Sequence, residues 1–422
     1  MESMRIRRTL ATLLVGVLCA AAVAACGSSS SSSTSASASG SGGTATNAAA
    51  SSGGGDKSPI NIALITFKIP ALDFIEDYQA GAQAALNYIK SIGGWGGRDA
   101  TLQVCNSMLA PAPSTTCAHQ MLAKHVVAEF GCETSWGATG LQIFSAAGIP
   151  SFNCTNGGQD FTNPLSFGMG TGAPGEAGAM AKWLCKTQPD VKTVAYLTPV
   201  DPEQEATVPP VVTPILKSCG KTISYTYIPQ TQVDMTPIIT KVLSTHPQWV
   251  MTTIGQVQMV QVAKSLQQQG FPAGHLSLAS NALDMKNVFK PAGSALNDVY
   301  ASDEWTGWGL DTSDADTYRK WTASLPNPLS GNVVQGWMYM MWLYTAAKHI
   351  GFGNFSSSTL THWLQTSANG TAIPMSRTYI SPGPSGKPAI HQPYVQILHW
   401  QNGKMTIVSQ GTDNGWITPY DL

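Results

Sequence analysis

The sequence predicts an α/β protein with two lobes, each built around a parallel sheet. Short apolar runs alternate with helical stretches, which is typical of strand, helix, strand units. This alternation occurs in two series, one before and one after about residue 168. More than 360 residues follow the low-complexity N-terminal segment, and that length exceeds a comfortable single core. Two lobes are therefore the simplest arrangement.

The first series is organised around residues 126–156, where two apolar runs flank a helical stretch. The loops that follow these runs hold candidate ligand-binding residues, because ligands lie outside the carboxyl ends of parallel strands. The alternative is that they are ordinary loop residues. Predicted strands lie at 60–67, 101–105, 126–130 and 149–153. Three helices separate them, at 78–92, after the Pro-rich loop with Ser114 as a possible cap, and at 137–147. The candidate residues are Thr134, Ser135, Trp136, Thr155, Asn156 and Gly157.

The second series repeats the alternation and ends differently. Helices are predicted at 176–187, 207–218 with an interruption at Pro214, 236–245 and 257–269, and strands at 193–198, 222–228, 249–254, 276–280 and 299–305. A long apolar helix at 333–349 is expected to be core. Runs at 394–400 and 404–409 flank Asn402-Gly403, a pair that favours a hairpin. Antiparallel strands are thus expected to close the chain.

The N-terminus carries an export signal. Arg5, Arg7 and Arg8 precede an uncharged run that ends in small residues before Cys26. This pattern resembles the signal of bacterial lipoproteins, and the resemblance implies that residues 1–25 are removed and Cys26 carries lipid. The alternative is a plain signal peptide with an incidental cysteine. Residues 26–56, rich in Gly, Ser and Ala, predict a flexible tether.

Charge and cysteine usage limit the class of protein. The chain has 23 basic and 24 acidic residues and no basic run outside the signal, which argues against nucleic-acid binding. Apart from Cys19 and Cys26, six cysteines remain, with no Cys-x-x-Cys and no nearby histidine cluster, which argues against zinc. Disulfides suit an exported protein. Fifteen connectivities are possible, and the expected positions on strands and helices favour Cys105–Cys117, Cys132–Cys154 and Cys185–Cys219.

Motifs that signal catalysis or cofactor binding are unconvincing. Residues 170–175 fit G-x-G-x-x-G, but the motif follows four strands instead of opening the first unit, and the next strand ends in Thr198. We interpret it as a crossover between lobes. Ser218 and Lys221 fit S-x-x-K, but they lie at a helix end without an aligned base. We expect no cofactor, no metal and no catalytic residues.

The segments ALDFIEDYQAGAQAALNYIKSIGGWGGRDATLQVC and AAGIPSFN, together with the order of elements, resemble the type I periplasmic solute-binding proteins of the leucine/isoleucine/valine-binding family. The resemblance implies two Rossmann-like lobes joined by three crossovers, near residues 167–175, 303–308 and 378–392. The implied N-terminal lobe comprises residues 57–168 and 306–380. The implied C-terminal lobe comprises residues 169–305 and 381–422.

The resemblance also implies a ligand site between the lobes. The hydroxyls and amides of Thr134, Ser135 and 155–157 match the loops that hold a ligand carboxylate, and Phe74 matches a covering aromatic residue. In the second lobe the matching positions fall near Glu203, Gln256 and Asn281. The family's acidic residue for the ammonium is missing there, unless Glu203, Asp284 or Glu304 substitutes. Trp136 and Trp305 are candidate apolar walls.

We therefore expect a non-enzymatic substrate-binding lipoprotein of an ABC importer on the outer face of the cell membrane. It is expected to bind a small polar solute of the branched-chain amino acid, amide or small carboxylate class. Expected partners are that solute, a permease and, through Cys26, the membrane; the protein itself is expected to be a monomer. Alternatives are a sensory protein that presents a solute to a receptor, and an exported hydrolase using Glu203 or Glu304. The hydrolase interpretation lacks a paired acid and base at recognisable spacing.

Overall fold

Two sheets form the framework of the protein. The computed structural model describes residues 56–69, 72–132, 139–153, 155–305, 307, 312–410 and 415–420. The strands are β1 (Ile60–Thr66), β2 (Lys68–Ile69), β3 (Leu72–Asp73), β4 (Ala100–Asn106), β5 (Val126–Gly131), β6 (Ser151–Asn153), β7 (Thr193–Pro199), β8 (Thr222–Ile228), β9 (Trp249–Thr252), β10 (Leu276–Leu278), β11 (Val299–Asp303), β12 (Gln396–Gln401) and β13 (Lys404–Ile407). The helices are α1 (Ile75–Ser91), α2 (Pro111–Ala123), α3 (Thr139–Ala146), α4 (Gly158–Thr162), α5 (Gly172–Thr187), α6 (Pro202–Ser218), α7 (Thr236–Leu243), α8 (Gln256–Gln268), α9 (Lys290–Ala292), α10 (Ser313–Thr322), α11 (Gly331–Ile350) and α12 (Ser357–Thr366).

The smaller sheet contains four parallel strands in the order β4-β1-β5-β6. Its central strand β1 is apolar along most of its length, and Ile62, Leu64 and Ile65 have no exposed surface. Near-continuous apolar sequence is expected of a parallel strand that is covered on both faces. The first predicted series of strands and helices is confirmed.

The larger sheet contains seven strands in the order β13-β12-β11-β10-β9-β7-β8. Strands β7 to β11 pair in parallel, whereas β12 and β13 pair antiparallel at one edge. Asn402 and Gly403 join these last two strands with φ values of 52° and 76°. Both central residues of a type I′ turn require such left-handed angles, which asparagine and glycine adopt at little cost. The predicted hairpin is confirmed.

Close packing of α1 on α11 positions part of the site. A Cβ atom on Gly81 of α1 would lie 2.0 Å from the Val333 carbonyl oxygen, and one on Gly336 of α11 would lie 2.1 Å from the Tyr78 carbonyl oxygen. The two helices can therefore approach this closely only because both positions lack a side chain. Across this contact the Tyr78 hydroxyl donates a hydrogen bond to Gln335 Oε1.

The largest differences between predicted and observed helix boundaries are at the starts of α5 and α6. Helix α5 begins at Gly172, inside the segment that we predicted as a crossover, and Gly172 adopts a φ of 61°. Helix α6 begins at Pro202 and continues through Pro214 without interruption. Val208, Val212 and Leu216 form a buried stripe along α6, and this burial outweighs the proline penalty. Helices α4, α9, α10 and α12 were not predicted.

Disulfides join Cys105 to Cys117 and Cys185 to Cys219, as their expected positions favoured. The first tethers β4 to α2, and the second joins α5 to the residue that follows α6. Cys154 lies outside the described residues, so the pair Cys132–Cys154 stays a prediction. No helix in the described ranges has the length and apolarity needed to cross a membrane.

Candidate functional site

A cavity of about 120 Å³ lies where the carboxyl ends of strands from both sheets meet. A ligand in this position would contact residues at the ends of strands from both sheets, as expected for crevices outside the carboxyl ends of parallel strands. Lining residues that follow strands of the smaller sheet are Phe67, Leu109, Cys132 and Asn156. Lining residues at or after the ends of larger-sheet strands are Pro199, Thr253, Ala279 and Glu304.

Aromatic side chains form one part of the cavity wall. The rings of Phe67 and Phe74 lie 4.7 Å apart between centroids, and those of Phe74 and Tyr78 lie 6.3 Å apart. Trp305 is 4% exposed, and its indole N–H donates to the Met169 carbonyl oxygen at 3.4 Å. These rings offer flat apolar surface to a ligand, and that surface is commonly found in small-molecule sites.

Two glutamates, Glu176 and Glu304, form a buried carboxyl pair in the same cavity, and they are hydrogen-bonded to each other. Glu176 accepts from the backbone N–H of Ser280 at 2.7 Å and from its hydroxyl at 2.6 Å. Glu304 Oε1 accepts from the Thr171 hydroxyl and from the Gly172 N–H, both at 2.6 Å. Burial, reinforced by repulsion from Glu304, raises the pKa of Glu176 well above its usual range.

A third acidic residue, Asp201, lines the cavity and caps α6. Its carboxylate accepts from the backbone N–H of Glu203 at 3.0 Å, and its other oxygen accepts from Gln204 Nε2 at 3.3 Å. Burial raises the pKa of Asp201 to about 6 in spite of these bonds. Gln204 Oε1 in turn accepts from the hydroxyl of Thr198 at 3.1 Å. This network fixes the polar wall on the side of the larger sheet.

Two side-chain amides in the lining have an atom without a hydrogen-bond partner. Asn332, at the start of α11, is 3% exposed, and its Nδ2 makes no hydrogen bond within the described part of the chain. The Oδ1 atom of Asn281 is likewise unpaired there, while its Nδ2 donates to the Ile254 carbonyl oxygen at 3.4 Å. Buried polar atoms of folded proteins are nearly always paired, so these two atoms point to a missing partner.

Four of the predicted ligand-binding residues line the cavity: Phe74, Asn156, Asn281 and Trp305. Four others lie outside its lining and make different contacts. The Thr155 hydroxyl donates to the Gly170 carbonyl oxygen, and Gln256 Nε2 donates to Asp284 Oδ2 at 3.1 Å. A Cβ atom on Gly157 would lie 2.8 Å from Glu203 Oε2. Thr134, Ser135 and Trp136 lie outside the described residues.

The prediction missed several lining residues that the helices supply. Glu176 is the single acidic residue of α5, which otherwise consists mostly of small and apolar residues. Asn332 and Gln335 interrupt the apolar sequence of α11. A polar side chain inside a buried helix requires a partner, so these interruptions were the available signal.

The sequence matches the family described as periplasmic binding protein over residues 59–390. The chain belongs to the periplasmic binding protein family. As a type I periplasmic binding protein, it is an extracytoplasmic solute-binding protein of the ABC transporter kind. No curated protein sequence shows a significant match to this periplasmic binding protein.

Solved structures of other periplasmic binding proteins share the fold. A leucine binding protein from Thermotoga maritima has a TM-score of 0.67 at 14% identity, and the match covers 85% of this chain and 99% of that one. A solute binding protein from R. palustris in complex with benzoate has a TM-score of 0.70 at 16% identity, covering 86% and 97%. A fatty acid ABC transporter substrate-binding protein from Thermomonospora curvata has a TM-score of 0.73 at 14% identity, covering 86% and 95%.

Proposed function

We propose that this chain is the lipid-anchored substrate-binding component of an ABC importer and encloses a small polar solute between its two sheets. The observation that carries this proposal is the cavity lined by strand ends of both sheets. A ligand that contacts both sides stabilises the closed arrangement by its preference for that state. A permease then distinguishes the loaded form from the empty form.

The lining restricts the chemistry of the solute. Among the described lining residues none is Lys, Arg or His, whereas Glu176, Asp201 and Glu304 are acidic. A ligand carboxylate must therefore be held by hydroxyl and backbone N–H donors, and Thr134 and Ser135 are the candidates from the sequence. Branched-chain amino acids and amides fit this lining better than dicarboxylates do, because uncompensated negative charges repel in a buried site.

The anchor follows from the sequence. Cys26 follows the signal, and the tether at 26–56 connects it to the first strand. Lipid on Cys26 would hold the protein at the outer face of the membrane, within reach of the permease. Metabolic labelling with a radioactive fatty acid tests this, and labelling that persists in Cys26→Ser contradicts it.

A thermal-shift screen tests solute binding. The full chain carrying Cys26→Ser is screened against branched-chain amino acids, amides, amines and small carboxylates, because a ligand of the native state must raise its melting temperature. The tightest compound is then titrated against Asn332→Ala, with the exposed Asn87→Ala as control. We expect about tenfold weaker binding for Asn332→Ala only.

Two results would contradict the proposal. One is a screen in which no compound raises the melting temperature. The other is equal affinity of Asn332→Ala and wild type, which would place the ligand elsewhere. After incubation, the compound should be recovered unchanged, because the expected function is binding without catalysis.

A further inference from the structure

The Glu176–Glu304 pair lies where separate segments of the chain meet. Glu304 follows β11, and its Oε1 accepts hydrogen bonds at the start of α5 from Thr171 and Gly172. Gln392 Nε2 donates to the Glu304 carbonyl oxygen at 2.6 Å. Glu176, one turn further along α5, accepts hydrogen bonds from the N–H and the hydroxyl of Ser280, which follows β10. Both carboxyl groups are thus fixed in position. Glu176 is 5% exposed and Glu304 is 3% exposed.

A hydrogen bond between two carboxyl groups requires a shared proton, because ionised carboxylates only accept. The titratable groups that interact electrostatically with the pair are Asp303 and the uncharged tyrosines Tyr78, Tyr196, Tyr339 and Tyr420, and none of them is a base. Asp201 adds a third carboxyl group to the cavity, and no basic side chain occurs in the described lining. The proton is therefore the only positive charge that the described residues bring to this pair.

A second feature of the cavity also lacks a partner. The Nδ2 group of Asn332 is buried and makes no hydrogen bond to any residue that the structure describes. An acceptor on a ligand in the cavity would supply the partner that the described residues do not provide. The cavity thus combines a site for positive charge with a donor for an uncharged acceptor.

We propose that the solute carries a protonated nitrogen, which binds the Glu176–Glu304 pair in place of the shared proton, and an amide or carbonyl oxygen that accepts from Asn332 Nδ2. This inference rests on the proposed solute-binding function and specifies its ligand class. An amine or a guanidinium supplies the required charge. The pair lies at the predicted crossovers between the lobes. Of its two residues, only Glu304 was considered from the sequence, as a possible substitute for the family's acidic residue.

The exchange of charge is balanced. The free protein holds one proton between the two carboxyl groups, and the ligand arrives as a cation. In the complex both carboxyl groups are ionised around the ligand nitrogen, and the proton leaves to solvent. Because binding releases a proton, affinity increases as the pH rises, until the pair is ionised in the free protein.

Three probes of similar length distinguish the effect of ligand charge on affinity from the effect of ligand shape. They are 5-aminopentanamide, which is cationic, hexanamide, which is neutral, and 4-carbamoylbutanoate, which is anionic. All three carry the amide for Asn332. We expect 5-aminopentanamide to bind at least about tenfold more tightly than either of the others. Calorimetric titration in phosphate and in Tris at pH 7 should show release of about one proton per ligand bound.

Glu176→Gln provides the matched variant, since glutamine keeps the size and one of the two oxygens that accept from Ser280. Ligand binding to this variant should release no proton, and the variant should lose most of the preference for 5-aminopentanamide over hexanamide. Glu205→Gln makes the same chemical change on the exposed face of α6 and should change neither. If Glu176→Gln does not fold, the proton release of the wild-type protein decides the question.

Equal binding of hexanamide and 5-aminopentanamide overturns the charge assignment and leaves the solute-binding function intact. Binding of 5-aminopentanamide without proton release also overturns the exchange. The proposal is also overturned if the compound that binds most tightly in the broad screen has no protonated nitrogen. If no compound of either set binds, both this inference and the proposed function fail.

Discussion

Two pairs of buried acidic residues in this protein are stabilised in different ways. Glu176 and Glu304 are hydrogen-bonded to each other and line the cavity. Asp77 and Asp284 lie outside that lining, and the amide of Asn327 donates to both at 2.9 Å. Ser330 also donates to Asp77 at 2.8 Å, and Asn287 donates to Asp284.

The difference separates a structural pair from a binding pair. The neutral amide of Asn327 bridges Asp77 and Asp284, so these two carboxyl groups need no shared proton and no further ligand. It connects α1 to the segment after β10 and to the loop before α11, and it thereby joins elements beside the two sheets. Neutral donors also reach Glu176 and Glu304, but these two carboxyl groups lie in the cavity and are hydrogen-bonded to each other, which requires a shared proton. A proton can be exchanged for a cation.

The largest effect is expected where the backbone supports Glu304. Gly172 has a φ of 61°, and a Cβ there would lie 1.8 Å from the Thr155 carbonyl oxygen. Gly172→Ala should therefore lower the free energy of unfolding by about 4 kcal/mol, measured by urea denaturation. Gly270→Ala is the control, because Gly270 has a similar φ of 78° and open space around it. Equal losses in both variants would show that the clash is relieved without cost.

The next effect concerns the amide between the two aspartates. Asn327→Ala leaves both carboxyl groups without their shared donor, and we expect a loss of about 3 kcal/mol in the free energy of unfolding at pH 7. The exposed Asn87→Ala controls for loss of an asparagine. A loss no larger than that of the control would mean that Asn327 does not stabilise the pair.

A smaller effect is expected from the titration of Asp77. Burial, assisted by repulsion from Asp284 and opposed by the Ser330 hydrogen bond, raises its pKa to about 6. The folded state therefore binds a proton more tightly than the unfolded state, whose carboxyl group titrates near 4. Stability from this group is complete below pH 4 and decreases as the pH rises through 6, by about 2 kcal/mol between pH 4 and pH 7. Asp77→Asn should lack this decrease in urea denaturation, and an unchanged decrease would assign it to other groups.

Sequence reasoning identified the framework of the fold well and the cavity only in part. Strand β1 and the hairpin at Asn402-Gly403 were predictable because apolar runs and turn residues act locally. Phe74, Asn156, Asn281 and Trp305 line the cavity, and the family resemblance and the position of loops after strands had singled them out. Their contact with a ligand stays a prediction. Glu176 was not predictable, because only the tertiary fold brings this helical residue to Glu304.

Ligand titration of variants in both pairs distinguishes a binding pair from a structural pair. The tightest compound of the screen is titrated against wild type, Glu176→Gln and Asp77→Asn. We predict at least about tenfold weaker binding for Glu176→Gln and a change within about threefold for Asp77→Asn. Unchanged affinity in Glu176→Gln, or equal losses in the two variants, would contradict the distinction between a binding pair and a structural pair.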